Sequence, residues 1–264
     1  RIEELKKEGN NLEALELIEQ SLEIRKEVYG AESEEVKTCY RQLCEACNQA
    51  ATDYLQRESF QLALDLLKKA EALCVNDEIT KVKILNNLAC YYRQSGKVRA
   101  AQNYLQKALA IPKNLAVTHL NMCAVLSEVQ KHEEALGHAM EAVIILQDEL
   151  ISSMQNPQKN FDEQAPMLSI AYHNMGVELE FLKRTQEAIT IYRKAKNFAK
   201  ENLSQDHPLS KKAVSELEAA IEKQKTSKSR QASRKNLKPT TRKDIKICPA
   251  YLSEQDINLL NKAW

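Results

Sequence analysis

The sequence predicts an all-α protein, a right-handed solenoid of stacked helix pairs closed by a capping helix and continued by an extended basic C-terminal tail. Three observations carry this. Five glycines and six prolines in 264 residues, with no proline before Pro112, are too few turn residues for an all-β chain. A set of large and small side chains recurs along the chain at fixed offsets. Elsewhere apolar residues return every three or four positions with Lys and Glu between them, the period of a helix with one buried face.

The recurring set is clearest in Tyr172, Met175, Gly176 and Leu179, followed by Ala188, Tyr192 and Ala195. In chain order, the first copy is half a repeat, where Gly9 turns into a helix carrying Ala14, Ile18 and Ser21. Next come Cys47, Ala50, Ala51 and Tyr54 with Ala63, Leu67 and Ala70, then Leu85, Leu88, Ala89 and Tyr92 with Ala101, Leu105 and Ala108. His119, Met122, Cys123 and Leu126 with Ala135, Ala139 and Ala142 precede the copy at 172–195. Small residues mark where two helices cross with almost no side chain between them, and large ones fill the flanking holes. Leucine at Ala101 or Gly176 should overpack such a crossing. Ala14, Ala63, Ala101, Ala135 and Ala188 are 49, 38, 34 and 53 residues apart, so helices are extended or segments inserted, most around Asn156 to Pro166.

After Pro208, Ala213, Leu217, Ala220 and Ile221 form one apolar face, as a cap over the last pair requires. The expected organisation is repeats over 1–207, about five with the first incomplete. A capping helix over 208–225, a basic flexible linker over 226–246 and a short amphipathic helix over 247–264 follow. The chain opens on Arg1 inside a repeat, and further residues are expected upstream.

This spacing resembles that of tetratricopeptide repeats. The run Leu85-Asn86-Asn87-Leu88-Ala89-Cys90-Tyr91-Tyr92, with Ser95-Gly96-Lys97 and Gln106 to Ile111, is similar to repeats of kinesin light chains. So are Leu22 to Arg25 leading to Tyr29-Gly30, and Asp206-His207-Pro208 opening a helix. The resemblance covers about residues 9–225. It implies a concave groove lined by the leading helix of each pair, used to bind protein segments.

Fourteen positions before each ruler alanine stand Gln49, Asn87, Asn121 and Asn174. A carboxamide both donates and accepts, so a row of them can hold the backbone of an extended peptide. Similar asparagine ladders occur in kinesin light chains and in O-linked N-acetylglucosamine transferase. The alternative is that these groups bond one repeat to the next. Lys83, Tyr91, Gln94, His173 and Phe181 are expected to project to similar sides and supply side-chain pockets. The clamp that grips a chaperone's C-terminal carboxylate needs Lys and Arg at the fifth and ninth repeat positions. Asn48 and Thr52, Asn86 and Cys90, Leu120 and Ala124, His173 and Val177 stand there instead.

Chemistry finds little footing. The glycines at 9, 30, 96, 137 and 176 are never closer than 21 residues, so none share a phosphate-cradling loop. His119 falls at a packing position, and His132 and His138 lie beside charged residues. Cys44 and Cys47 lack a second ligand pair, and seven cysteines, an odd number, suit a reducing cytosol. The longest apolar run, Ala142 to Leu146, is far below the roughly 20 residues of a membrane span. No cofactor, metal or catalytic group is expected. The function expected is a non-catalytic adaptor holding a peptide or helix in the groove. The alternatives are a structural component of a cytoskeletal, microtubule or ciliary assembly bound through outer faces and tail, and a regulatory subunit of an enzyme complex.

The net charge of +1 hides an asymmetry: residues 226–246 carry +7, the last 18 carry −1, and residues 1–225 carry −5. The basic stretch suits an acidic surface such as a microtubule or this protein's own acidic body. Without interleaved aromatics, specific nucleic-acid binding is not expected. Beyond it, Ser253 and Asp256 form an N-terminal capping arrangement, and Ile257, Leu260 and Trp264 fall on one helical face. About 12 residues are too few for a stable isolated helix, so docking is expected.

Overall fold

The structure, a computed structural model, describes residues 1–74, 77–112, 115–155 and 161–231. These form eleven helices and no strand. The chain divides into two compact units. The first, Arg1–Lys113, holds α1 (Ile2–Lys7), α2 (Asn11–Tyr29), α3 (Glu34–Gln56), α4 (Phe60–Leu73), α5 (Glu78–Gln94) and α6 (Val98–Leu109). The second, Asn114–Trp264, holds α7 (Ala116–Glu128), α8 (His132–Gln155), α9 (Phe161–Phe181), α10 (Thr185–Asn202) and α11 (Pro208–Gln231). In each unit consecutive helices pack against one another, and leading helices also touch: α3 meets α5, and α7 meets α9.

Each pair closes with a three-residue turn whose middle residue has positive φ: Gly9, Glu58, Gly96, Gln130 and Lys183. Each of these lies five residues before a ruler alanine. At α3 the amides of Glu58 and Ser59 donate to the carbonyls of Leu55 and Tyr54. Gln130 and Lys131 do the same to Ser127 and Leu126, and Lys183 and Arg184 to Glu180 and Leu179. This is the Schellman ending, which satisfies carbonyls the helix would leave open. Glu58, Gln130 and Lys183 are exposed and carry a Cβ in a conformation that suits glycine. Their replacement by glycine is expected to add about 0.5 kcal/mol each, relief of roughly 1–2 kcal/mol of strain exceeding an entropic cost of about 0.4–1 kcal/mol. A higher urea midpoint for the triple variant checks this.

The ruler alanines Ala14, Ala63, Ala101, Ala135 and Ala188 are all buried, as are Ala51, Ala89 and Cys123 in the leading helices. At Gly176 the ring of Tyr192 on α10 occupies the space a Cβ would take. Around these crossings Leu43, Leu67, Ile84 and Leu88 fill the first unit, and Leu120, Leu146, Leu168 and Leu179 the second.

The long spacing between Ala135 and Ala188 is taken up by helix: α8 runs 24 residues and α9 runs 21. Pro166 does not interrupt the pattern but sits inside α9, near its start, where the missing amide gives up one bond. α11 starts at Pro208 and runs to Gln231, so residues 226–231, expected in the flexible linker, are helical. Nothing in 226–231 stops a helix, and the turn before them is held down. Lys223 Nζ donates to Glu180 Oε2 at 2.8 Å, and Gln224 Nε2 to Gln186 Oε1 at 2.6 Å. Extending a nucleated helix costs little. The rest of the basic stretch and the terminal segment with Ile257, Leu260 and Trp264 lie outside the described residues.

Candidate functional site

In the first unit the adjoining leading helices α3 and α5 place Asn87 at 1% exposure between them. Asn87 Nδ2 donates to Asn48 Oδ1 at 3.0 Å and to Thr52 Oγ1 at 3.1 Å, and Thr52 Oγ1 donates to the carbonyl of Asn48 at 3.1 Å. The sixth position of one repeat thus meets the fifth and ninth of the repeat before it. Gln49 lies one residue further round α3, is exposed, and donates through Nε2 to Asp53 Oδ1 at 3.5 Å. Asp53 Oδ2 in turn accepts from Asn11 Nδ2 on α2 at 2.6 Å. A step of about 100° per residue is the reason that Gln49 and Asn48 face different surroundings.

Of the other groups in this unit, Lys83 is half-buried and Gln94 is exposed. Tyr91 is buried and belongs to the core: its ring meets Phe60 edge-on at 6.4 Å and Tyr92 at 5.1 Å. Tyr92 stacks on Tyr104, whose hydroxyl accepts from Lys68 Nζ at 2.8 Å. Cys44 donates to the carbonyl of Ala70 on α4, and burial pushes the Cys44 and Cys47 thiols up to about 12 and about 11. Such thiols pack as small apolar groups.

In the second unit Asn121 and Asn174 are buried on α7 and α9. His173 is covered by the capping helix: its Nδ1 lies 2.7 Å from Glu216 Oε1 on α11, an oxygen that also sits 3.6 Å from Lys212 Nζ. The cap therefore occupies the space that a ligand would need to reach His173. Phe181 is half-buried against Ala124 and Val177, and the His132 ring stacks on it with centroids 4.3 Å apart.

Beneath that stack lies Glu178, with 0% exposure, its Oε2 2.8 Å from His132 Nδ1. Burial holds the Glu178 carboxyl above the ordinary value, while hydrogen bonds from Ser127 and His132 pull the other way. The same burial, with the Glu178 charge nearby, lifts the Cys123 thiol. Sequence reasoning missed Glu178. Its signal was a lone carboxylate four residues after Asn174, on the same face of a leading helix. His119 and His138 form a second polar pair across α7 and α8, with Nδ1 atoms 3.0 Å apart. Burial lowers the pKa of both. His207 accepts from the amide of Leu209 and so helps to start α11. Among the described residues no three His, Cys, Asp or Glu side chains are placed to hold a metal ion, and no helix is long and apolar enough to cross a membrane.

Family models described as tetratricopeptide repeat match residues 5–35, 82–113 and 170–202. No curated protein matches the chain in sequence. Among solved structures, BtubC (BKLC) from P. vanneervenii is 18% identical with a TM-score of 0.55, over 86% of this chain and 94% of that one. The pilF protein of Pseudomonas aeruginosa is 21% identical with a TM-score of 0.54, over 73% and 74%. A putative kinesin light chain of Podospora anserina is 19% identical with a TM-score of 0.43, over 77% and 93%. In these three segments the chain matches the tetratricopeptide repeat, and further helix pairs lie between them.

Proposed function

We propose that the protein is a non-catalytic adaptor that holds a peptide or helix of a partner protein along the leading helices. The observation that carries this reading is the layered face of α3 and α5. A buried bridge of Asn48, Thr52 and Asn87 fixes the two helices, and Gln49, Lys83 and Gln94 stand toward solvent or at its edge. The asparagines then have a supporting role, setting the spacing of the leading helices, and the exposed polar groups supply the contacts. A rigid, pre-spaced surface lowers the ordering cost of binding.

A second reading, a structural component bound through its outer faces, is favoured by one observation. Large exposed apolar residues stand on second helices: Ile24, Val28 and Tyr29 on α2, and Met140, Ile144 and Ile151 on α8. Photo-crosslinking residues introduced singly at Gln49, Lys83 and Gln94, and at Ile24 and Val28, separate the two. The adaptor reading expects one protein captured from the α3 and α5 positions and little from α2. Capture from α2 alone would overturn it.

A further inference from the structure

The outward side of α8 carries two parallel rows at seven-residue intervals. Gly137, Ile144 and Ile151 make one, joined by Met140 at its edge, and Glu134, Glu141 and Asp148 make the other. Met140, Ile144 and Ile151 are 45%, 50% and 56% exposed, although α8 is packed on α7 and α9 through Ala135, Ala139, Ala142 and Leu146. A side chain at Gly137 would meet nothing within 4 Å, so the apolar row is open at that end too. A seven-residue interval keeps an apolar row facing one neighbouring helix along its length. The row from 137 to 151 is about 21 Å long, enough for a helix of roughly 12–14 residues.

We propose that this chain's own C-terminal segment, Ser253 to Trp264, packs as a helix along the Met140, Ile144 and Ile151 row, with the basic stretch before it lying over Glu134, Glu141 and Asp148. Ile257, Leu260 and Trp264 recur at three and four residues, the spacing that fits a seven-residue row. The 26 residues from Gln231 to Ile257 span up to about 85 Å when extended, so reach is no constraint. Charge selects this occupant over a second copy of α8. Two copies packed antiparallel would set Glu141 against Glu141 and Glu134 against Asp148. The +5 of residues 232–246, past the end of α11, meets the same row with opposite sign. Tethering replaces the cost of a bimolecular encounter with a high effective concentration, so a short helix suffices. The proposal leaves the leading helices uncovered and stands independently of the adaptor reading.

Trp264 is the only tryptophan, so its emission in the full chain reports this contact alone. The expected result is a blue-shifted spectrum shielded from acrylamide. In the Ile144→Glu/Ile151→Glu variant it becomes red-shifted and several-fold more quenched, with helical circular dichroism unchanged, because both residues are exposed. Ile24→Glu/Val28→Glu on α2 leaves the spectrum as in the unsubstituted chain. Raising salt from physiological to molar levels increases quenching, since the basic stretch is screened. Three outcomes would overturn the proposal. One is a water-exposed Trp264 in the unsubstituted chain. Another is a shielded Trp264 indifferent to the α8 substitutions. The third is shielding that appears only as the protein dimerises with concentration. None of these changes crosslinking from Gln49, Lys83 or Gln94, so the adaptor reading survives or fails separately.

Discussion

Leucine at Gly176 is expected to destabilise the second unit by more than about 3 kcal/mol, with alanine costing up to about 2 kcal/mol. A Cβ at this position would lie 2.6 Å from Tyr192 Cζ, 2.8 Å from Cδ1 and nearer still to Cε1. Tyr192 is itself buried, in one core with Ala188, Ile189 and Ala195. For alanine, overpacking of roughly 1–3 kcal/mol is partly offset by about 1 kcal/mol of helix propensity. Gly137→Ala, where nothing stands within 4 Å, gains the propensity without the clash and is expected to stabilise by roughly 0.5–1 kcal/mol. Urea unfolding of the two alanine variants side by side checks the sign difference. A Gly176→Ala variant as stable as Gly137→Ala would mean that the α9–α10 crossing is not closed by this contact. Shortening the ring in Gly176→Ala/Tyr192→Leu is expected to recover part of the loss, the coupling that a direct contact requires.

Glu178→Ala is expected to cost about 3 kcal/mol, because it opens a cavity and leaves Ser127 and His132 facing it without their acceptor. Glu178→Gln keeps the volume and an acceptor for Ser127, and is expected to cost less than about 1 kcal/mol at neutral pH. The pH dependence separates the two variants further. A carboxyl whose pKa is raised on folding contributes stability that is complete below its ordinary value of 4.5. That contribution is lost as the pH rises through the folded-state value. Relative to the unsubstituted chain, Glu178→Gln therefore gains stability as the pH is raised from 4.5. Unfolding midpoints measured from pH 4.5 to 8 check this, and a constant difference across that range would show that Glu178 does not titrate on folding.

The repeat frame was legible because it is written in side-chain size, and size acts at the crossing itself. Ala63, Ala101, Ala135 and Ala188 are buried where the spacing places them, and the turns five residues earlier carry the positive φ that ends each leading helix. The same frame set Asn87 in a row of carboxamides on the leading helices without revealing its partners, since Asn48 and Thr52 belong to a helix 35 or more residues away. Gln49 and Asn48 differ by one position, and only the packed angle of α3 decides which of them meets Asn87.

By itself, then, the sequence determined the all-helical fold, the helix pairs and their buried alanines. These follow from local propensity and a short-range period, which any stretch of the chain carries within itself. Tertiary structure alone decided that His173 lies under α11, that Tyr91 joins the core aromatics and that α9 runs through Pro166. It alone brought Glu178, Ser127 and His132 together in one buried cluster. Each of these depends on which helix lands beside another and at what rotation, and that is fixed by burial summed over a whole unit rather than by any residue's neighbours in the chain.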